Sequence, residues 1–160
     1  MLNKTITYRG GVVEFEIPAH WIEEYGEDGG AAFYEDRENS GTLRLNVITL
    51  EAPINVGSDR VIEALQVSNA DKKGDILKLE NGNAVLRYSE TVTAENGTEI
   101  TIFYWMVANP LGERHVRIGD FSYTVLATTR DTEQTKSEIN FLEHAIFNSR
   151  FYPELGVQAT

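Results

Sequence analysis

The sequence predicts an α+β fold, a mostly antiparallel sheet with helices packed on its faces. Three observations carry this reading. Short alternating segments recur, joined by Gly-Gly and Asn-Gly turns. Two longer segments repeat apolar residues at helical spacing, one around Val61 and Leu65 and one around Leu142 and Ile146. The order is strands, helix, a run of strands, helix, which sets helices on a sheet of sequential neighbours.

Residues 5–8 and 12–17 read as a first hairpin with Gly10 and Gly11 at the turn. Val13, Phe15 and Ile17 alternate with Glu14 and Glu16, so one face is buried and one is wet. Pro18 ends the ladder because it has no N–H to donate. Residues 23–30 read as an acidic loop, 31–34 as a short strand and 36–41 as a polar turn. Residues 42–50 form the clearest strand of the first half, with Leu43, Leu45 and Val47 on one face. Ile48 and Leu50 are apolar on the other face, which predicts a strand end covered on both sides.

Ser58 reads as the N-cap of a helix ending near Asn69, with Asp59 in its first turn. A polar turn at 71–74 follows. Residues 76–79, 84–92, 99–108 and 114–127 read as meander strands. Their turns hold Asn81-Gly82, Asn96-Gly97 and the stretch 109–112; Gly119-Asp120 marks a bulge or a split. Asp131 and Gln134 have capping-box spacing ahead of the last helix, whose stripe is Ile139, Leu142, Ala145 and Ile146, with Phe141 on its flank.

Size and composition set bounds on function. A chain of 160 residues is expected to be one domain, 1–160, and buries enough surface to fold without staples. With no cysteine, thiolate metal sites, disulfides and a cysteine nucleophile are excluded, and a reducing cytoplasm is the expected setting. Met1 to Thr5 show neither a basic nor an apolar leader region, so no secretory signal is expected. No apolar run reaches the length of a membrane span. A net charge of −11 repels phosphate backbones and anionic lipid, so nucleic acid and membrane are not expected partners. A basic protein surface is the partner that this charge favours, beside the plainer role of keeping the chain soluble.

Phe15-Glu16-Ile17-Pro18-Ala19-His20-Trp21 resembles the phenylalanine, apolar, proline, two residues, tryptophan signature of the Mog/PsbP-like superfamily. Ala31-Ala32-Phe33-Tyr34, Leu43-Arg44-Leu45-Asn46-Val47 and the final helix with Phe147 and Phe151 match its layout. The resemblance implies a six- or seven-stranded antiparallel sheet sandwiched between helices. It also implies a non-enzymatic role, since that superfamily includes a Ran-binding import factor, a photosystem II extrinsic subunit and periplasmic lipoproteins. The lack of a leader or lipobox departs from the periplasmic members, and no family binding residue carries over.

The candidate chemistry is sparse. His20, His115 and His144 have no metal spacing, and no His-Glu-x-x-His, Gly-x-Ser-x-Gly or phosphate-loop pattern occurs. No cofactor or metal is expected. The stretch 23–38 holds Glu27, Asp28, Glu35 and Asp36, which with His20 form the candidate partner-binding set. Its plainer reading is a solvated charged loop. Such carboxylates also suit a hard cation, or acid–base chemistry if held at the right separation. Phe103 and Trp105 face one side of their strand and Tyr104 the other; Tyr88, Phe121 and Tyr123 lie nearby, as core aromatics or as a ligand groove. The leading expectation is a binding or adaptor domain acting through protein–protein contact. A carboxylate- or metal-dependent hydrolase and an immunity-type protein binding a basic toxin are the alternatives.

Overall fold

The computed structural model describes residues 2–27, 29–51, 58–111 and 115–152, with backbone only at 58–60. Asp28, Gly112 and Arg114 therefore lie outside the described residues, as do the side chains of Ser58 and Asp59 named for the first helix cap.

Two sheets and two helices make the sandwich. The small sheet has the order β1-β2-β10: β1 is Asn3–Tyr8, β2 is Val13–Pro18 and β10 is Arg150–Phe151. Seven antiparallel strands form the large sheet in the order β3-β4-β5-β9-β8-β7-β6. These are β3 Ile22–Tyr25, β4 Ala31–Tyr34, β5 Thr42–Glu51, β6 Asp75–Lys78, β7 Ala84–Thr93, β8 Glu99–Leu111 and β9 His115–Leu126. Helix α1 spans Ser58–Asn69 and α2 spans Glu133–Phe147.

Register decides which side chains meet. Leu43 pairs with Tyr123, Leu45 with Phe121 and Val47 with Gly119, while Trp105 faces Phe121 from β8. These residues share the face that meets Phe15 and Ile17 of β2 and Leu142 and Ile146 of α2. The opposite face carries Leu86, Ala108 and Ile118, covered by Val61 and Leu65 of α1. Thus one helix lies on each face, and the aromatics at 103, 105, 121 and 123 belong to the core side. Burying rings of this size contributes more apolar area than any other side chain.

Several expectations are corrected. Residues 22–25 form an edge strand, not a loop; only one ladder is needed there, so no buried alternation marks it. β9 runs unbroken through Gly119, where an added Cβ would sit 3.0 Å from the Phe151 ring. The glycine makes room for β10 rather than a bulge. β8 continues to Leu111 through Pro110; beyond Ala108 it pairs with β9 alone, so a missing N–H is tolerated. Ile48 and Leu50 are each 49% exposed, so that end of β5 is covered on one face only. The α2 cap is Thr132, whose hydroxyl accepts from Thr135 N, in place of the Asp131 capping box.

Candidate partner-binding site

The sequence segment read as one acidic loop is divided by β4 into two turns. Glu27 stands in the β3–β4 turn, and Glu35 and Asp36 stand in the β4–β5 turn. Four strand residues separate them by about 10 Å, so they do not form one patch. Glu27 and Asp36 are exposed, and Asp28 lies outside the described residues. Only His20 and Glu35 of the candidate set come together, with His20 Nε2 3.1 Å from Glu35 Oε1.

The β4–β5 turn is shaped by its own backbone. Glu35 N donates to Ser40 Oγ at 3.1 Å, and Asn39 takes φ 61°, a left-handed value that asparagine adopts readily. This geometry aims Arg37 back at α2. Arg37 Nε donates to Glu35 Oε2 at 2.5 Å, and its Nη2 donates to Glu138 Oε2 at 3.1 Å. With its amide oxygen turned inward, Gln134 also accepts from Arg37, at 3.0 and 3.2 Å. The guanidinium hydrogen bond holds the Glu35 carboxyl below its ordinary pKa; His20 adds to this, and desolvation opposes it. Arg37 is raised in turn, first by Glu35 and then by Glu138.

Beneath this network lies an aromatic base. Trp21 is 4% exposed, and its ring stacks on Tyr123 at 6.2 Å and 11°. Lys4 Nζ donates to the Trp21 carbonyl at 2.7 Å, fixing the chain where β2 passes into β3. Gly41 admits the Tyr123 phenol, since an added Cβ would fall 2.4 Å from its oxygen. Tyr123 is fully buried, and burial, with Glu138 nearby, pushes its phenol up. Glu138 is close enough for that electrostatic effect but does not meet hydrogen-bond geometry with the phenol oxygen.

A cavity of about 210 Å³ opens between the turn and α2. Pro18, Trp21 and Phe141 give it apolar walls; His20, Glu35 and Glu138 give it a polar rim. Two carboxylates there share one guanidinium, so these three groups leave an excess negative charge at the rim. Sequence reasoning missed Arg37, Gln134 and Glu138. Glu138 is 101 residues from Arg37, and no local signal links them.

The other histidines lie apart. His115 pairs with Glu51 at the far end of β5 from Thr42, the end next to the cavity, and His144 is exposed on α2. Among the described residues no three His, Asp or Glu side chains converge as metal ligands. Among them, too, no helix is long and apolar enough to cross a membrane.

No protein-family model and no curated protein sequence matches the chain. Solved structures do match in shape. A structure from Bacteroides thetaiotaomicron superposes with a TM-score of 0.64 at 18% identity, over 95% of this chain and 49% of that one. This chain therefore spans about half its length. LpqN of Mycobacterium tuberculosis, involved in cell envelope biogenesis, gives 0.62 at 12% identity, covering 95% and 91% of the two chains. The Saccharomyces cerevisiae Ran-binding protein Mog1p gives 0.51 at 13%, covering 94% and 96%. The chain has the Mog/PsbP-like fold. At these identities the likeness concerns the fold, and function must be argued from the site.

Proposed function

We propose that this chain is a binding domain that acts through protein–protein contact, and that the Trp21 cavity receives a basic side chain of the partner. The observation that carries the reading is the rim, where Glu35 and Glu138 share Arg37 above apolar walls. A volume near 210 Å³ suits one long side chain. The stem of a lysine or arginine packs on Trp21 and Phe141 while its head meets the carboxylates. The net charge of −11 adds long-range attraction for such a partner. The protein-binding role of the yeast structural neighbour is consistent with this class of function. A basic toxin held by an immunity-type protein would be one partner of this chemistry.

Partner capture from the source cell tests the reading. Wild type is compared with Glu35→Gln/Glu138→Gln and with Glu27→Gln/Asp36→Gln, which removes as much charge elsewhere. The account expects the first pair to lose the partner and the second to keep it. Equal recovery by both pairs would contradict it.

A further inference from the structure

The large sheet has one long border along which, among the described residues, no strand pairs. β6 pairs with β7 only from Ala84 to Arg87, whereas β8 pairs with β7 along its whole length to Thr93. Residues 88–93 therefore have a strand on one side only. The direction of their backbone groups follows from the hairpin turns. Ala94 N donates to the Thr98 carbonyl, so even-numbered β7 residues aim their N–H and C=O at β8. Leu79 N donates to the Asn83 carbonyl, so odd-numbered residues aim at the β6 side. Ser89, Thr91 and Thr93 thus point their N–H and C=O groups outward, and among the described residues no backbone or side-chain group meets them.

Sheet edges are normally blunted by proline, lysine, bulges or a covering loop. The stretch Tyr88-Ser89-Glu90-Thr91-Val92-Thr93 has no proline or lysine, and its register with β8 shows no bulge. Its one charged side chain, Glu90, accepts from Tyr104 Oη at 2.9 Å, on the face opposite α2. On the α2 face a cavity of about 400 Å³ runs beside the edge, floored by Phe103 and Ile139. Arg130 and Lys136 stand on its rim, against the single carboxylate of Asp131. Arg130 Nη1 reaches Thr91 Oγ1 at 3.5 Å, so cationic charge sits over the middle of the open edge. At the end where β6 stops, Lys72 and Lys73 border a second cavity of about 390 Å³. Asp75 and Glu143 line that second cavity too and pair with Arg87, and Glu133 lies 3.9 Å from Lys136. The excess of cations is therefore confined to the cavity beside Thr91, where Arg130 and Lys136 face Asp131.

We propose that β7 accepts an added strand, an extended segment of a partner protein with an acidic side chain at its centre. Continuing the line of β6, the segment satisfies the outward groups of Ser89, Thr91 and Thr93. Side chains level with Thr91 project toward α2, where Arg130 and Lys136 select Asp or Glu. This surface shares no lining residue with the Trp21 cavity, so each proposal can fail alone.

Random seven-residue peptides displayed on phage, panned against the whole chain and against Thr91→Pro, test it. The substitution deletes one outward N–H and leaves the β7–β8 backbone ladder intact, and Thr91→Val serves as the control for the hydroxyl that bonds Thr101 and Arg130. Wild type is expected to enrich peptides with alternating β-branched residues around Asp or Glu, about tenfold above Thr91→Pro. A synthetic peptide of the enriched sequence should slow amide exchange at Ser89, Thr91 and Thr93. Arg130→Glu should turn the preference from acidic to basic, which keeps the test decisive even if Thr91→Pro does not fold. Equal enrichment on Thr91→Pro, an unchanged preference on Arg130→Glu, or protection elsewhere overturns the proposal. So does sedimentation showing a dimer that Thr91→Pro dissolves, because the occupant would then be a second copy.

Discussion

The Trp21 cavity and the β7 border are opposite solutions to exposed polarity. At the cavity the β4–β5 turn is tied through Ser40, and Arg37 offsets one of the two carboxylate charges, which leaves an excess negative charge. At the border the outward-facing backbone of Ser89, Thr91 and Thr93, whose own side chains are small and neutral, is left to solvent. A partner at the cavity must be read by side-chain shape and charge. One at the border is read first by main-chain geometry. The same fold can therefore present two surfaces whose variants behave differently, and stability measurements separate them.

Trp21→Ala should break the comparison most severely. It removes a ring that is 4% exposed and stacked on Tyr123, and should cost about 3–5 kcal/mol in urea unfolding. Gly41→Ala comes next. Its methyl would fall within 2.4 Å of the Tyr123 oxygen, inside a packed core, for a loss of about 1–3 kcal/mol. A milder loss would mean that the phenol moves aside easily.

Arg37→Gln sharpens the electrostatic side. The folded Glu35 carboxyl is depressed, so its contribution is present above its unfolded pKa, about 4.3. It is lost as pH falls through the lower folded value. Wild type should therefore lose stability below about pH 4.3 partly through Glu35, and Arg37→Gln should flatten that limb. The substitution should cost about 1 kcal/mol or less at neutral pH, as expected for a partly exposed pair. Carboxyl titration by NMR should show Glu35 moving up toward its ordinary value. Thr91→Pro measured against Thr91→Val, which loses the same hydroxyl bonded to Thr101, should be the quietest, the two within about 0.5 kcal/mol, because the N–H lost in addition bonds only water. A larger loss would place that N–H inside the ladder and refute the assignment of outward groups.

Much of the fold is legible in the sequence because burial imposes alternation. Val13, Phe15 and Ile17 announce β2, and Leu43, Leu45 and Val47 announce β5. The α2 stripe of Leu142, Ala145 and Ile146 is equally plain. β3 is hidden because Glu23, Glu24 and Tyr25 are exposed, so its residues obey no core pattern. β10 is two residues long and is specified by Gly119 on a distant strand. The site was half visible. His20 and Glu35 carry charge that composition reveals, but their meeting depends on the β4–β5 turn. Glu138 joins only through tertiary packing of α2, which no spacing rule encodes.

The most direct measurement is an amide and side-chain NMR titration of the whole chain with a short lysine-rich peptide. The account predicts shifts concentrated at the Trp21 indole, Glu35, Glu138 and Phe141, with Glu27 and Glu24 unmoved. Shifts spread evenly over the acidic surface, Glu24 and Glu27 included, would contradict a built site and leave only general charge attraction.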